Sequence, residues 1–319
     1  MSPRFAARPP WLGPDLQTVR NLLRPPRPRL ERFAAERLQL AMADGSGDRL
    51  VATLQQPAQR RGPLVVVIHG LSGSEDSPYM QVTAAALLER GHPVLRLNLR
   101  GAGPSRPLCR RQYHAGRTAD LRDAILALDP TLAVDGLLLV GYSLGGNLLL
   151  KFLAEQGTAL PIRAAASVSA PSDRAPGRAA APHSCARNRV YHWNCAGDEG
   201  RGGRASRRAG AVGAGAGDDQ ARTIVEFDDR FVASQRLRRR RRLLRAARPD
   251  RCSPHRVPTL VVHGADDPWI GRLSPRPLVR QRHLHRALSP GGGHVGFPRA
   301  ASACRGTTAS SKFFAQPGG

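Results

Sequence analysis

Between about residue 36 and residue 171 the chain alternates short apolar runs with longer amphipathic ones. Pro63 to His69 (PLVVVIH) is a continuous aliphatic run, as a strand covered on both faces requires; a strand with one wet face would alternate apolar and polar residues instead. Met80 to Arg90 reads as a helix ended by Gly91, and Pro93 to Asn98 as the next strand. Thr118 to Leu128 reads as a helix with Asp120 and Asp123 near its positive N-terminal end. Gly136 to Val140 predicts a strand, Leu144 to Gln156 a helix closed by Gly157, and Ile162 to Val168 a further strand. Strands and helices in turn are the pattern of an α/β fold, a mostly parallel sheet flanked by helices on both faces.

After Ala170 the pattern breaks. Ser172 to Arg222 shows little apolar periodicity, and its Gly, Ala and Arg content resembles a low-complexity linker. Ordered-looking islands survive beyond it: RNRVYHW (Arg187 to Trp193), TIVEFDDRFVA (Thr223 to Ala233), VPTLVVHGADDPWI (Val257 to Ile270) and LSPGGGHVGF (Leu288 to Phe297). Of these, Val257 to Val262 is a good buried strand. The expected organisation is an N-terminal extension over 1–35, the first part of the domain over 36–171, a basic and poorly legible cap over 172–256, and the rest of the domain over 257–319.

The net charge of +25 would suit a polyanion partner. Of 49 basic residues, however, only Lys151 and Lys312 are lysine, and the chain is also rich in Ala, Gly and Pro. All four abundant types have GC-rich codons, so coding composition competes with selection for binding as the source of the charge. The densest tract, Arg236 to Arg248 (RLRRRRRLLRAAR), is not interleaved with stacking aromatics and reads as a solvated charge run, not a specific nucleic-acid site. Five widely spaced cysteines (Cys109, Cys185, Cys195, Cys252, Cys304) without a C-x-x-C pair read as reduced thiols of a cytoplasmic protein. No signal-peptide core follows Arg4 and Arg8, and the most apolar stretch, Leu137 to Leu153, is interrupted by Ser143, Asn147, Lys151 and three glycines, so no transmembrane segment is expected.

Chemistry concentrates at Gly141-Tyr142-Ser143-Leu144-Gly145, a G-x-S-x-G set between a strand and a helix, which is the context of a nucleophile elbow. A serine hydroxyl is a poor nucleophile until a base, itself oriented by an acid, takes its proton. In folds of this kind the chain order is Ser, then acid, then His, each after a strand. Asp267 follows the strand Val257 to Val262, and His294 lies in the glycine-rich loop SPGGGHVGF. Asp266 competes for the acid; Asp267 is preferred because Pro268 fixes the turn just beyond it. Two backbone donors are needed for an oxyanion. Leu144, next to the serine, would supply one, and Leu71, in the His69-Gly70-Leu71-Ser72-Gly73 loop, the other. His69 itself reads as structural. No cofactor or metal is required by this constellation.

The segments PPWLGPDLQTV, VVVIHGLSGSEDSPYM, VLRLNLRGAGPS, YHAGRTADLRDAI, LLLVGYSLGGNLLLKFL and the four islands together resemble the YheT-type branch of the α/β-hydrolase superfamily, related to hydrolases of membrane lipids and short esters. The resemblance is nearly continuous from residue 9 to 171 and insular afterwards. It implies an α/β-hydrolase fold, Ser143, Asp267 and His294 as triad, and hydrolysis of a small-molecule or lipid carboxylic ester, without a cofactor. Asp15 stands where the family pattern usually has histidine. The segments near 173–186, 194–222, 234–256, 271–287 and 298–311 depart from the family at nearly the right length, as compensating reading-frame shifts in GC-rich DNA would produce. The competing functions are acyl transfer or thioester cleavage on the same fold, a catalytically impaired remnant, and a basic nucleic-acid-binding protein.

Overall fold

A computed structural model describes residues 9–157, 159–171, 256–270 and 283–297. The islands RNRVYHW and TIVEFDDRFVA, the arginine tract at 236–248, four of the five cysteines and the expected cap lie outside the described residues. Among the described residues eight strands form one sheet in the order β1-β2-β4-β3-β5-β6-β7-β8. These are β1 (Ala35–Ala41), β2 (Arg49–Gln55), β3 (Leu64–Ile68), β4 (Val94–Leu97), β5 (Leu137–Tyr142), β6 (Ile162–Val168), β7 (Thr259–Gly264) and β8 (Leu284–Ser289). The first two pair antiparallel with each other, and β2 pairs antiparallel with β4; from β4 onward every pairing is parallel.

Among the described residues four α-helices accompany the sheet: α1 (Pro14–Leu23), α2 (Pro78–Leu88), α3 (Thr118–Leu126) and α4 (Leu144–Gln156). Because side chains alternate across a strand, β3 and β5 feed two separate cores. Leu64, Val66, Ile68, Leu137 and Leu139 pack with Leu121 and Ile125 of α3 and with Leu148, Phe152 and Leu153 of α4. Val65, Val67, Leu138 and Val140 pack on the other face with Met80, Ala84, Leu87 and Leu88 of α2. Every residue of β3, β5 and β7 is buried, which accounts for their unbroken apolar runs in the sequence.

The expected strands and helices from Pro63 to Val168 are present, most with ends moved by one or two residues. The sequence pattern did not single out α1, β1, β2 or β8. Edge strands β1 and β8 carry mixed burial, so neither shows a clean period. Asp120 stands in the first turn of α3 as expected, yet its stronger engagement is a two-pronged pair with the fully buried Arg100, whose Nε and Nη2 donate to Asp120 Oδ2 and Oδ1 at 3.0 and 2.9 Å. Arg100 also donates to Asp48 Oδ2 at 2.6 Å, fastening β2 to the loop after β4. A buried guanidinium requires such partners, because desolvating an unpaired charge costs several kcal/mol.

Candidate active site

The order β4-β3-β5 means that the chain leaves β3 toward one side of the sheet and later returns to its other side. The C-terminal ends of β3 and β5 therefore flank the point where strand order reverses, the usual place for a ligand crevice in an open α/β sheet. In-register pairing of Ile68 with Gly141 brings the residues that follow each strand together. A methyl group added at Gly70 would lie 3.0 Å from Ser143 Cβ.

Ser143 is the single residue between β5 and α4, at φ 50 and ψ −117. Few non-glycine residues occupy that region, and one held there stores roughly 1–3 kcal/mol of strain. Two backbone bonds maintain it: Ser143 N–H donates to Val168 O in β6 at 2.8 Å, and Asn147 N–H donates to Ser143 O at 3.0 Å. The flanking glycines are required by close approach. A Cβ on Gly141 would stand 2.5 Å from Gly145 O, and one on Gly145 would stand 2.3 Å from His69 O. Such spacing lets α4 start hard against the sheet and leaves the serine half-exposed at the strand tip.

Asp267 follows β7 and His294 follows β8, so all three chemical side chains come from the same end of the sheet. His294 Nε2 lies 2.9 Å from Ser143 Oγ, and its Nδ1 lies 2.8 Å from Asp267 Oδ2. Burial works to raise the Asp267 pKa, but the adjacent His294 imidazole and the hydrogen bonds from His294 and Ile270 N–H outweigh it and hold the carboxyl below the usual value. An ionised carboxylate only accepts, so Nδ1 carries the proton and the Nε2 lone pair faces the serine hydroxyl. Asp267 Oδ1 is occupied by the N–H groups of Trp269 and Ile270, both at 2.9 Å, which fixes the carboxylate plane.

The neighbouring acids divide their tasks. Asp266 Oδ1 accepts from the N–H of Gly293 at 3.0 Å, so it holds the loop, whereas Asp267 holds the ring. The Trp269 ring lies against the imidazole at 4.8 Å between centroids and 38° between planes. Sequence reasoning did not single out Trp269.

Leu71 and Leu144, the expected oxyanion donors, are half-buried, Leu144 directly after the serine and Leu71 directly after Gly70. Leu144 opens α4, and the first amides of a helix have no acceptor within the helix. The Leu71 amide is aimed by its neighbour. Leu99 N–H donates to His69 Nε2 at 3.0 Å, so His69 carries its proton on Nδ1, 2.7 Å from Gly70 O. Gly70 C=O and Leu71 N–H belong to one peptide plane and point opposite ways, so pinning the carbonyl turns the amide away from His69. Burial pushes the His69 pKa down to about 4, only partly offset by its bond to Gly70. It thus stays neutral at ordinary pH, in keeping with a structural role. Tyr79 Oη accepts from Gly70 N–H at 3.0 Å, and Tyr113 Oη accepts from Ser72 N–H at 2.8 Å. Both tyrosines lie in segments that carried the family resemblance, which was the only sign of them in the sequence.

The comparisons bear on the family and the fold. A family model described as the α/β hydrolase fold matches residues 63–194. YheT of Escherichia coli (strain K12), whose name makes it an esterase only provisionally, is 32% identical over 274 residues, 81% of this chain and 77% of that one. The chain belongs to the YheT-like family of α/β-hydrolases. The medium-chain fatty acid ethyl ester synthase/esterase 2 of Saccharomyces cerevisiae is 34% identical over 112 residues, 35% of this chain and 25% of its own length. Among solved structures, a serine hydrolase without lid from Xanthomonas campestris superposes with a TM-score of 0.52 at 17% identity, covering 89% of this chain and 97% of the other, and shares the fold. Among the described residues no helix is long and apolar enough to cross a membrane.

Proposed function

We propose that this hydrolase cleaves carboxylic esters, short-chain or acylglycerol-like, through an acyl-enzyme on Ser143, without a cofactor. The observation that carries the reading is the hydrogen-bonded row Ser143 Oγ, His294 Nε2, His294 Nδ1, Asp267 Oδ2, with each separation under 3 Å. Ser143 Oγ attacks the acyl carbonyl carbon while its proton passes to His294 Nε2, and Asp267 stabilises the resulting imidazolium. The carbonyl oxygen becomes an oxyanion within reach of the Leu71 and Leu144 amides. As the intermediate collapses, His294 returns the proton to the departing alkoxide, leaving the acyl group on Ser143. Water then gives a proton to His294 and attacks the acyl carbon; as the bond to Ser143 Oγ breaks, His294 returns that proton to the serine and the carboxylic acid is released.

Acyl transfer is the second reading, favoured by the yeast relative whose name couples ester synthesis with ester cleavage. It changes only the acceptor, from water to an alcohol. The odd, scattered cysteines support a cytoplasmic location, and specific nucleic-acid binding forms no part of the proposal. Labelling with a fluorophosphonate probe, followed by peptide mapping, tests the central claim. Modification at Ser143 that is lost in Ser143→Ala is the expected result; modification elsewhere, or none in folded protein, rejects it. Turnover of a p-nitrophenyl ester with and without added ethanol then separates hydrolysis from transfer by the product formed.

A further inference from the structure

His294 sits in a loop with almost no regular structure to hold it. Residues 290–297 follow β8, and Gly292, Gly293, Val295 and Phe297 all have positive φ. A loop so shaped cannot continue a strand ladder, yet buried amides must find acceptors. Four consecutive amides find them in side chains from three separate places. Gly292 N–H donates to Gln17 Oε1 at 2.6 Å, Gly293 N–H to Asp266 Oδ1 at 3.0 Å, His294 N–H to Thr18 Oγ1 at 2.9 Å and Val295 N–H to Ser169 Oγ at 3.2 Å. Two of the four acceptors belong to α1, more than 270 residues away in sequence.

The fit on α1 is close and directional. Gln17 is buried, and Thr18 Oγ1 donates its own proton to Pro14 O at 2.8 Å, which leaves its lone pairs for the His294 amide. Added Cβ atoms at Gly293 and Gly296 would fall 2.5 Å from Thr18 Oγ1 and 2.2 Å from Gln17 O, so the two glycines let the loop lie directly on the helix. We infer that Gln17 and Thr18 are positioning residues for the base: α1, read from the sequence as part of an N-terminal extension, sets the height and direction of His294 relative to Ser143. This inference rests on the reading of His294 as the base for Ser143. A misplacement of about 1 Å can cost roughly 100-fold in rate even when every reacting group is retained.

The test uses the full chain and a fluorophosphonate probe, with the labelling rate normalised to the fraction of protein that melts cooperatively. Thr18→Val keeps shape but removes the acceptor; Thr18→Ser keeps the acceptor; Gln17→Met removes the second acceptor at similar volume. Expected are a 10- to 100-fold slower reaction of Ser143 in T18V and Q17M, recovery to within about threefold in T18S, and a fall in kcat for a p-nitrophenyl ester with KM little changed. A purely structural role would alter the melting temperature and leave the folded fraction as reactive as wild type, and that result overturns the inference. Equal slowing in T18V and T18S also overturns it, because the hydroxyl would then not be the cause. Should T18V fail to fold, Q17M decides by the same criterion. Wild-type protein that is folded but inert to the probe rejects the Ser143 reading, and this inference falls with it; reactive wild type with unaffected variants rejects this inference alone.

Discussion

The proposed nucleophile and its proposed base are held by different means. Ser143 is fixed mainly by its sequence neighbours: one residue joins a fully buried strand to a helix, Gly141 and Gly145 allow the close approach, and a single backbone bond to Val168 ties it to β6. His294 is fixed from afar, by α1, the loop after β6 and the turn after β7, and it follows an edge strand that is half wet. The first arrangement is written in a motif and the second in long-range bonds that leave little local trace. A site of this kind gains accuracy from contacts that no short window of sequence contains.

Removing the locally fixed group should have the largest effect. Ser143→Ala is expected to reduce ester turnover by ~10⁶-fold with the unfolding temperature nearly unchanged, measured on p-nitrophenyl acetate; retained activity would move the nucleophile elsewhere. On the long-range side, Asp267→Asn should cost ~10⁴-fold, because the wrong tautomer of His294 is then favoured. Asp266→Asn keeps an oxygen for the Gly293 amide and should cost less than about 10-fold. A reversed ranking of the two would show that the ring and the loop exchange their acids.

The glycine that seats α4 offers a sharper test of the local side. In Gly145→Ala the new methyl would meet the His69 carbonyl, a backbone atom, at 2.3 Å. Overpacking of this kind typically costs about 1–3 kcal/mol, to be read from denaturant unfolding, together with reduced probe labelling as the elbow shifts. An alanine variant as stable and reactive as wild type would show that the strand and helix can part without loss.

His69 supplies an effect visible only against pH. Its folded pKa of about 4 lies below the ordinary 6.5, so between these values the unfolded chain binds the proton and the native state does not. Stability must therefore fall as pH drops from about 6.5 to about 4, by roughly 3 kcal/mol, and level off for this group below that. Unfolding free energies of wild type and His69→Gln across the window should diverge accordingly. Asp267 acts in the same direction in stronger acid: with a lowered folded pKa, its contribution is complete above the ordinary carboxylate range and is lost as pH falls through the folded value.

How much was legible follows from the same contrast. The central strands were readable because burial on both faces demands unbroken aliphatic runs, as in LVVVI of β3. Ser143 could be nominated because the elbow admits few residue types around it. Asp267 and His294 could be nominated by order and context, but Asp266 and Asp267 are chemically alike and adjacent, and only the separation of 2.8 Å between Asp267 Oδ2 and His294 Nδ1 distinguishes them. Edge strands β1 and β8 carry too little periodicity to be seen, and Trp269, Tyr79 and Tyr113 gave no sign of their roles.

By itself, then, the sequence determined the class of fold and nominated a nucleophile and the order in which its partners follow, since sterics at a strand-to-helix turn and the two-sided burial of a parallel sheet act over a few residues at a time. Tertiary structure alone decided which carboxylate faces the imidazole, how His69 turns the Leu71 amide, and that a helix near the start of the chain carries the loop near its end. Those choices depend on hydrogen-bond directions between segments as much as 276 residues apart, and a direction exists only once the chain has closed upon itself.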